Sequence, residues 1–367
     1  MNPKRILLAA LGLAGALFWP HRYDEPFDFQ SYYTGWKLSG TPGRYSTPAN
    51  LEVHRNLGLK EHADLVSPRM PWYDLVFRWM TAFPITTGLR IWQAINAAGF
   101  AVAIAMLPLD RWSVALAYLM STVMVEAIAM GQDLGIVSAY FAASLWLRAR
   151  GRPFAAGVAL AICGIKWHFF LLPAAALLYY REWRYLAGLA SAAAALIAIS
   201  TAVQGPGWFV DYWRMGTTPG WVMYEEYMIT IRRLSQHIGW VQALGSAATL
   251  IAGWFVMRRV SVTAGLCVAL FVGVLTSNHA YFHDGVLLVP GTLVLADFAP
   301  RAAWLHLLPI HRIVVMFASL WSVILTGTPV DTLGFGSAWE AGTALVALAI
   351  AAANTKTPRQ PKPTGSI

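Results

Sequence analysis

Long apolar runs recur along the whole chain: Ile6–Trp19, Ile85–Leu107, Trp112–Met130, Leu134–Leu147, Pro153–Tyr180, Tyr185–Val203, Trp240–Met257, Val260–Thr276, Gly285–Ala296, Ile313–Thr326 and Ala338–Ala353. An α-helix needs about 20 apolar residues to cross a bilayer core. A lipid-exposed backbone must satisfy its own hydrogen bonds, which leaves helices as the reading for such runs. Only 12% of the residues are charged and 57% are hydrophobic, against about 25% charged in an ordinary soluble domain. The expectation is an all-α polytopic membrane protein with about 10 to 12 transmembrane helices.

The formal net charge of +9 does not point to nucleic acid, because the basic residues sit in short loops between apolar runs. Cys163 and Cys267 both lie inside apolar runs and read as small core residues, with no disulfide framework. Lys4 and Arg5 precede the first apolar run, and no small-residue cleavage pattern follows it. It reads as a retained helix.

Residues 1–353 read as one integral-membrane domain. Residues 20–84 form a long first extracytoplasmic loop and 204–239 a second. The tail 354–367, with Lys356, Arg359 and Lys362 among prolines, reads as disordered and basic. In the first loop, Phe29, Tyr32, Tyr33, Trp36 and Leu38 leave an apolar stripe at helical spacing. The stretch Trp72–Met80 is similar. Both are expected as amphipathic helices lying in the interface.

With a cytoplasmic N-terminus, Arg111, Arg148–Arg152, Arg181, Arg184, Arg258, Arg259, Arg301 and Arg312 fall inside together. That requires Pro153–Tyr180 to enter and return. Each half is then about 20 Å long, short of a ~30 Å core. Two short helices meeting at a polar break near Lys166 are expected. Nearly every polar motif then lands on the outer face, as one outward-opening site would require.

The motif with most chemical content follows the first run, Tyr23-Asp24-Glu25-Pro26-Phe27-Asp28. Three carboxylates at a membrane exit resist leaving water, which suits the lip of a polar cavity. Asp28 is the candidate general base, Asp24 or Glu126 the next in line, and a solvated loop with a helix cap the plainer alternative. Lys166 and His168 interrupt an apolar run, and a Lys there costs about 2.5–3.5 kcal/mol. They read as a clamp for a phosphate, or as a snorkelling Lys beside a packed His. His279 and His283, followed by Asp284, would share a helix face. No clear third ligand accompanies the pair, so metal binding is not indicated. Arg232 and Arg233 suit phosphate oxygens or anionic headgroups equally. Tyr32, Tyr33, Gln132 and Asp133 complete the pocket candidates. There is no phosphate-binding Gly-rich loop and no dinucleotide fingerprint. No cofactor is expected.

Taken together, Asp28-Phe29-Gln30-Ser31-Tyr32-Tyr33, Gly131-Gln132-Asp133-Leu134, Arg152–Gly157, Ile165-Lys166-Trp167-His168, Arg181-Glu182-Trp183-Arg184 and His283-Asp284 resemble, in order and sidedness, GT-C type integral-membrane glycosyltransferases. They are most similar to glycosyltransferase family 87, the polyprenol-phosphate-mannose-dependent group. The resemblance runs from about Asp28 to Pro290 and departs from the family pattern at Asp133 and Trp167. It implies a polyprenyl-phosphate sugar as donor and a glycan or lipid as acceptor; membrane lipids, and no nucleic acid, are the further partners expected. It implies Asp28 as the base, and Lys166, His168, His279 and His283 near the donor phosphate. The expected setting is the inner (plasma) membrane, with the site facing outward. A lipid-linked-sugar transporter or flippase is the rival class, a catalytically dead scaffold a third, and an oligosaccharide ligase with a diphosphate donor a fourth.

Overall fold

The structure is a computed structural model and describes residues 27–59, 66–217, 227–235, 238–307 and 332–355. The runs Ile6–Trp19 and Ile313–Thr326, the acids Asp24 and Glu25, and the tail from Lys356 lie outside the described residues. Among those described, regular structure is helical, apart from one isolated bridge between Met228 and Tyr281. The chain is an all-α polytopic membrane protein. It divides into two compact units, one of residues 1–170 and 177–224, the other of 171–176 and 225–367.

In the first unit the helices are α1 (Phe27–Leu38), α2 (Thr47–Asn56), α3 (Pro71–Phe77), α4 (Ile85–Met106), α5 (Arg111–Met120), α6 (Thr122–Ala129), α7 (Leu134–Ala149) and α8 (Pro153–Ile162). They are followed by α9 (Trp167–Tyr179), whose residues 171–176 are counted with the second unit, α10 (Trp183–Gln204) and α11 (Trp208–Thr217). The second unit holds α12 (Ile231–Leu234), α13 (Gly239–Met257), α14 (Val262–Thr276), α15 (Val289–Leu295), α16 (Pro300–Leu307) and α17 (Thr332–Asn354). By length and composition, α4, α10, α13 and the continuous run Pro153–Tyr179 suffice to cross a membrane.

That run is not straight. From Gly157 to Tyr179 a straight helix would measure about 33 Å, and the chain from Tyr179 to Tyr185 reaches at most about 21 Å. Yet the Tyr185 carbonyl lies 2.0 Å from where a Cβ on Gly157 would stand. Arg148 at the end of α7 pairs with Glu182 at 2.5 Å. The run therefore folds back at the 3-10 turn Cys163–Lys166, and Lys166 sits at the apex.

Two expectations need correction. Trp112–Met130 is not one helix. It breaks at Ser121, whose backbone is extended at ψ 92 between α5 and α6. Ser121, Thr122, Val123 and Val125 are all residues of lower helix propensity. Nor does the aromatic stripe of α1 lie against lipid. Phe29, Tyr32, Tyr33 and Trp36 are buried in protein. Trp36 meets Trp92 of α4 with ring centroids 5.2 Å apart, and Phe77 meets Trp92 at 4.9 Å. Edge-to-face rings find better partners in one another than in acyl chains. Helix α3 divides its faces, burying Trp72, Tyr73 and Asp74 and exposing Leu75 and Val76.

Helix crossings are set by glycine. A Cβ on Gly135 would stand 2.0 Å from the Asn96 carbonyl of α4, and one on Gly188 would stand 2.0 Å from the Phe154 carbonyl of α8. Lipid supplies no hydrophobic drive between helices, so close backbone approach provides the packing energy. Gly157→Ala and Gly188→Ala should each force α8 and α10 apart and destabilise by about 1–3 kcal/mol, read as a lower unfolding temperature in detergent. Gly342→Ala, inside α17 where nothing lies within 4 Å of the added carbon, should not lower it and should raise it slightly.

In the second unit α14 is buried from Gly265 to Leu275. It is followed by a 3-10 helix, Phe282–Leu288, and then α15. The Ile229 amide donates to the Ala280 carbonyl at 2.8 Å, which ties the segment before α12 to the start of this 3-10 helix.

Candidate functional site: a buried charge cluster at the head of α7

The cluster begins with how Gly131-Gln132-Asp133 is held. Gly131 has φ +72, in the left-handed region that favours glycine, and an added Cβ would meet the Phe29 side chain at 2.6 Å. Its carbonyl accepts from the Trp92 indole at 2.7 Å. At the start of α7 the amides of Gly135 and Ile136 donate to Asn96 Oδ1 at 3.1 and 3.4 Å. A side chain from α4 thus caps this helix end. The Asp133 carboxylate makes no cap hydrogen bond.

It faces Arg69 instead. Arg69 Nε donates to Asp133 Oδ2 at 2.6 Å and Nη2 to Oδ1 at 3.1 Å, the two-pronged geometry that suits a guanidinium and a carboxylate. Nη2 also donates to the Tyr32 hydroxyl at 2.7 Å. That hydroxyl donates to Gln132 Oε1 at 3.0 Å. Lys166 Nζ donates to the same Gln132 oxygen at 3.2 Å and stands 4.0 Å from Asp133 Oδ1. Asp133 is fully buried and Lys166 only 6% exposed. Burial pulls the Arg69 guanidinium down, but the Asp133 charge and nearby tyrosines outweigh it and hold it well above its ordinary value. The Tyr73 phenol is pushed well above its usual range, first by burial and then by Asp133. Its hydroxyl has no hydrogen-bond partner among the described residues.

A second buried ion pair lies alongside, Arg44 Nε with Asp74 Oδ2. Loss of hydration pushes the Asp74 carboxyl up to about 6, against the attraction of Arg44.

Of the residues expected from the sequence, the structure brings Tyr32, Gln132, Asp133 and Lys166 together. Asp28 lies one helical turn before Tyr32 on α1, half-buried. Residues four apart on a helix are neighbours about 5–6 Å apart at Cβ. Among the described residues its carboxylate makes no hydrogen bond or ion pair. Tyr33 differs from Tyr32, because its hydroxyl donates to the Phe83 carbonyl at 2.7 Å and ties α1 to the segment before α4. His168 is half-buried, with its ring 4.0 Å from that of Phe169. Glu126 is buried in α6. Asp24 lies outside the described residues.

His279, His283, Asp284, Arg232 and Arg233 belong to the second unit. The shared helical face expected for the two histidines is not present. His279 precedes the 3-10 helix and His283 lies within it. Tyr281 stands between them, its ring 5.9 Å from His279 and 5.8 Å from His283. Asp284 Oδ2 accepts from the Tyr281 amide at 2.9 Å in a capping box and lies 3.8 Å from His283 Nε2. Arg232 donates to Asn278 Oδ1 at 3.2 Å.

Sequence reasoning missed Arg69, Arg44 and Asp74. Asp74 stood inside a stretch read as interfacial, although an acid amid Trp72 and Tyr73 was a signal of burial. Arg69 carried the weaker signal of an isolated cation between prolines, Pro68-Arg69-Met70-Pro71. Its partner is 64 residues away.

A polytopic helical protein with a buried cationic and acidic cluster beside the apex of an apolar helical hairpin is the class that fold and site define. The family model described as Glycosyltransferase family 87 matches residues 71–289, more than half of the chain, and the protein belongs to that family of GT-C type membrane glycosyltransferases. No curated protein and no solved structure matches it. The matched stretch includes Gln132, Asp133 and Lys166; Asp28, Tyr32, Arg44 and Arg69 precede it.

Proposed function

We propose that the protein transfers mannose, or a similar hexose or pentose, from a polyprenyl-phosphate donor to a glycan or lipid on the extracytoplasmic side of the inner membrane. The observation that carries this reading is the convergence of two buried cations, Lys166 and Arg69, on the Gln132-Asp133 pair, joined there by the hydroxyl of Tyr32, which lies one helical turn after the half-buried Asp28. The two cations suit the donor phosphate, and the Tyr73 hydroxyl is a further donor to its oxygens. His168 is assigned to the same phosphate by the family likeness.

The reaction is an inverting displacement. The acceptor oxygen attacks the anomeric carbon, the bond from that carbon to the phosphate oxygen breaks, and polyprenyl phosphate leaves with the bonding pair. The acceptor proton passes to Asp28. Lys166 and Arg69 stabilise the charge that develops on the leaving phosphate. A membrane-embedded tail on the donor accounts for a cluster built at the apex of a helical hairpin.

Purified protein in detergent should transfer label from polyprenyl-phosphate mannose. Lys166→Met should reduce turnover about 10²–10³-fold, and turnover within threefold of the parent would sink the assignment of Lys166.

A further inference from the structure

The segment Val66–Met70 that presents Arg69 has no helical or strand structure of its own. Two of its carbonyls are held instead by Arg44, which is 0% exposed. Nη1 donates to the Ser67 carbonyl at 3.2 Å and Nη2 to the Arg69 carbonyl at 3.4 Å. The Tyr45 hydroxyl donates to the same Arg69 carbonyl at 2.8 Å. Arg44 is oriented by Asp74 and lies in space left by Gly35, where an added Cβ would stand 2.9 Å from Nη2 and 3.0 Å from the Ser67 Cβ. Four pieces of chain, α1, the turn before α2, the extended segment and the start of α3, are joined at this one guanidinium.

Such a pair does not earn its place through stability. Apolar residues of similar volume often replace a buried ion pair at no loss. What they cannot supply is donors for two carbonyls in fixed directions. We propose that Arg44 is a positioning residue for glycosyl transfer, fixing the backbone of Arg69 so that its guanidinium meets Asp133 and Tyr32 in the donor site. The proposal rests on the reading of Arg69 as a donor-phosphate cation, and its chemistry is indirect, since Arg44 touches no substrate.

The test compares Arg44→Met/Asp74→Leu with Tyr45→Phe, in full-length protein in detergent. The double variant should stay monodisperse, with its KM for polyprenyl-phosphate mannose raised about tenfold or more and turnover at saturating donor changed far less. Tyr45→Phe removes one hydrogen bond and should raise KM about fivefold. Hydrogen exchange of the 66–70 amides should quicken about tenfold in the double variant, as expected when local constraints are removed. A donor KM within twofold of the parent in Tyr45→Phe overturns the proposal, even where the double variant fails to fold. Unchanged exchange across 66–70 in a folded double variant overturns it whatever the donor. Failure of the parent protein itself to turn over the mannosyl lipid counts against the donor reading, and the exchange experiment then decides the clamp alone.

Discussion

Asp28→Asn is expected to lower sugar transfer about 10²–10⁴-fold, the range for losing general-base catalysis, while thermal stability and binding of polyprenyl phosphate stay as in the parent. Stability should hold because the Asp28 carboxylate has no hydrogen bond or ion pair among the described residues, and asparagine is nearly isosteric. Donor binding should hold because the proposed phosphate site is formed by Lys166 and Arg69. The measurement is initial rate with labelled polyprenyl-phosphate mannose, alongside a melting curve with and without the lipid. Normal turnover in this variant would remove Asp28 from the mechanism and turn attention to Asp24 and Glu126.

Asp133→Ala is expected to act in the opposite way, on the fold as much as on the chemistry. It leaves the Arg69 guanidinium buried without its two-pronged partner, and breaking a buried pair costs about 3–5 kcal/mol. Unfolding in detergent should show a large drop in midpoint. Removing the guanidinium as well, in Asp133→Leu/Arg69→Met, should recover part of that stability, since Arg69 is no longer left buried without its partner, while Lys166 still loses the carboxylate 4.0 Å away. It should not recover transfer, because the donor phosphate loses a cation. Recovery of both would mean that the pair is only a structural tie. A midpoint for Asp133→Ala equal to that of the parent would show that Arg69 finds another counter-ion.

These two acids show what a chain of this kind discloses and what it conceals. Asp28 and Asp133 were both legible as candidates, since each stands in a short polar motif at the end of an apolar run. Their difference was not. Asp28 is half-buried on a helix that sequence reasoning laid in the interface, whereas Asp133 is fully buried against an arginine from a segment with no periodicity. The aromatic stripe of α1 was correctly read as a helical face, but its partner was mistaken for lipid. A hydrophobic stripe specifies burial, not what buries it. Ser121 likewise interrupts a run whose composition promised one helix. The fold-back at Cys163–Lys166 was foreseeable, because a Lys in an apolar run and the balance of basic loops both required it.

By itself, the sequence determined that this is an all-α polytopic membrane protein of a glycosyltransferase family, and it singled out Gln132, Asp133 and Lys166, which the structure brings together. Apolar run length, loop charge and short motifs are local properties, and bilayer insertion responds to them directly. Only the tertiary structure decided which cations share the site. Arg69 reaches Asp133 across 64 residues of chain, and Arg44 reaches Asp74 across 30. Pairing at that distance depends on where helices cross, which Gly135, Gly157 and Gly188 set through backbone contact that helical periodicity does not encode.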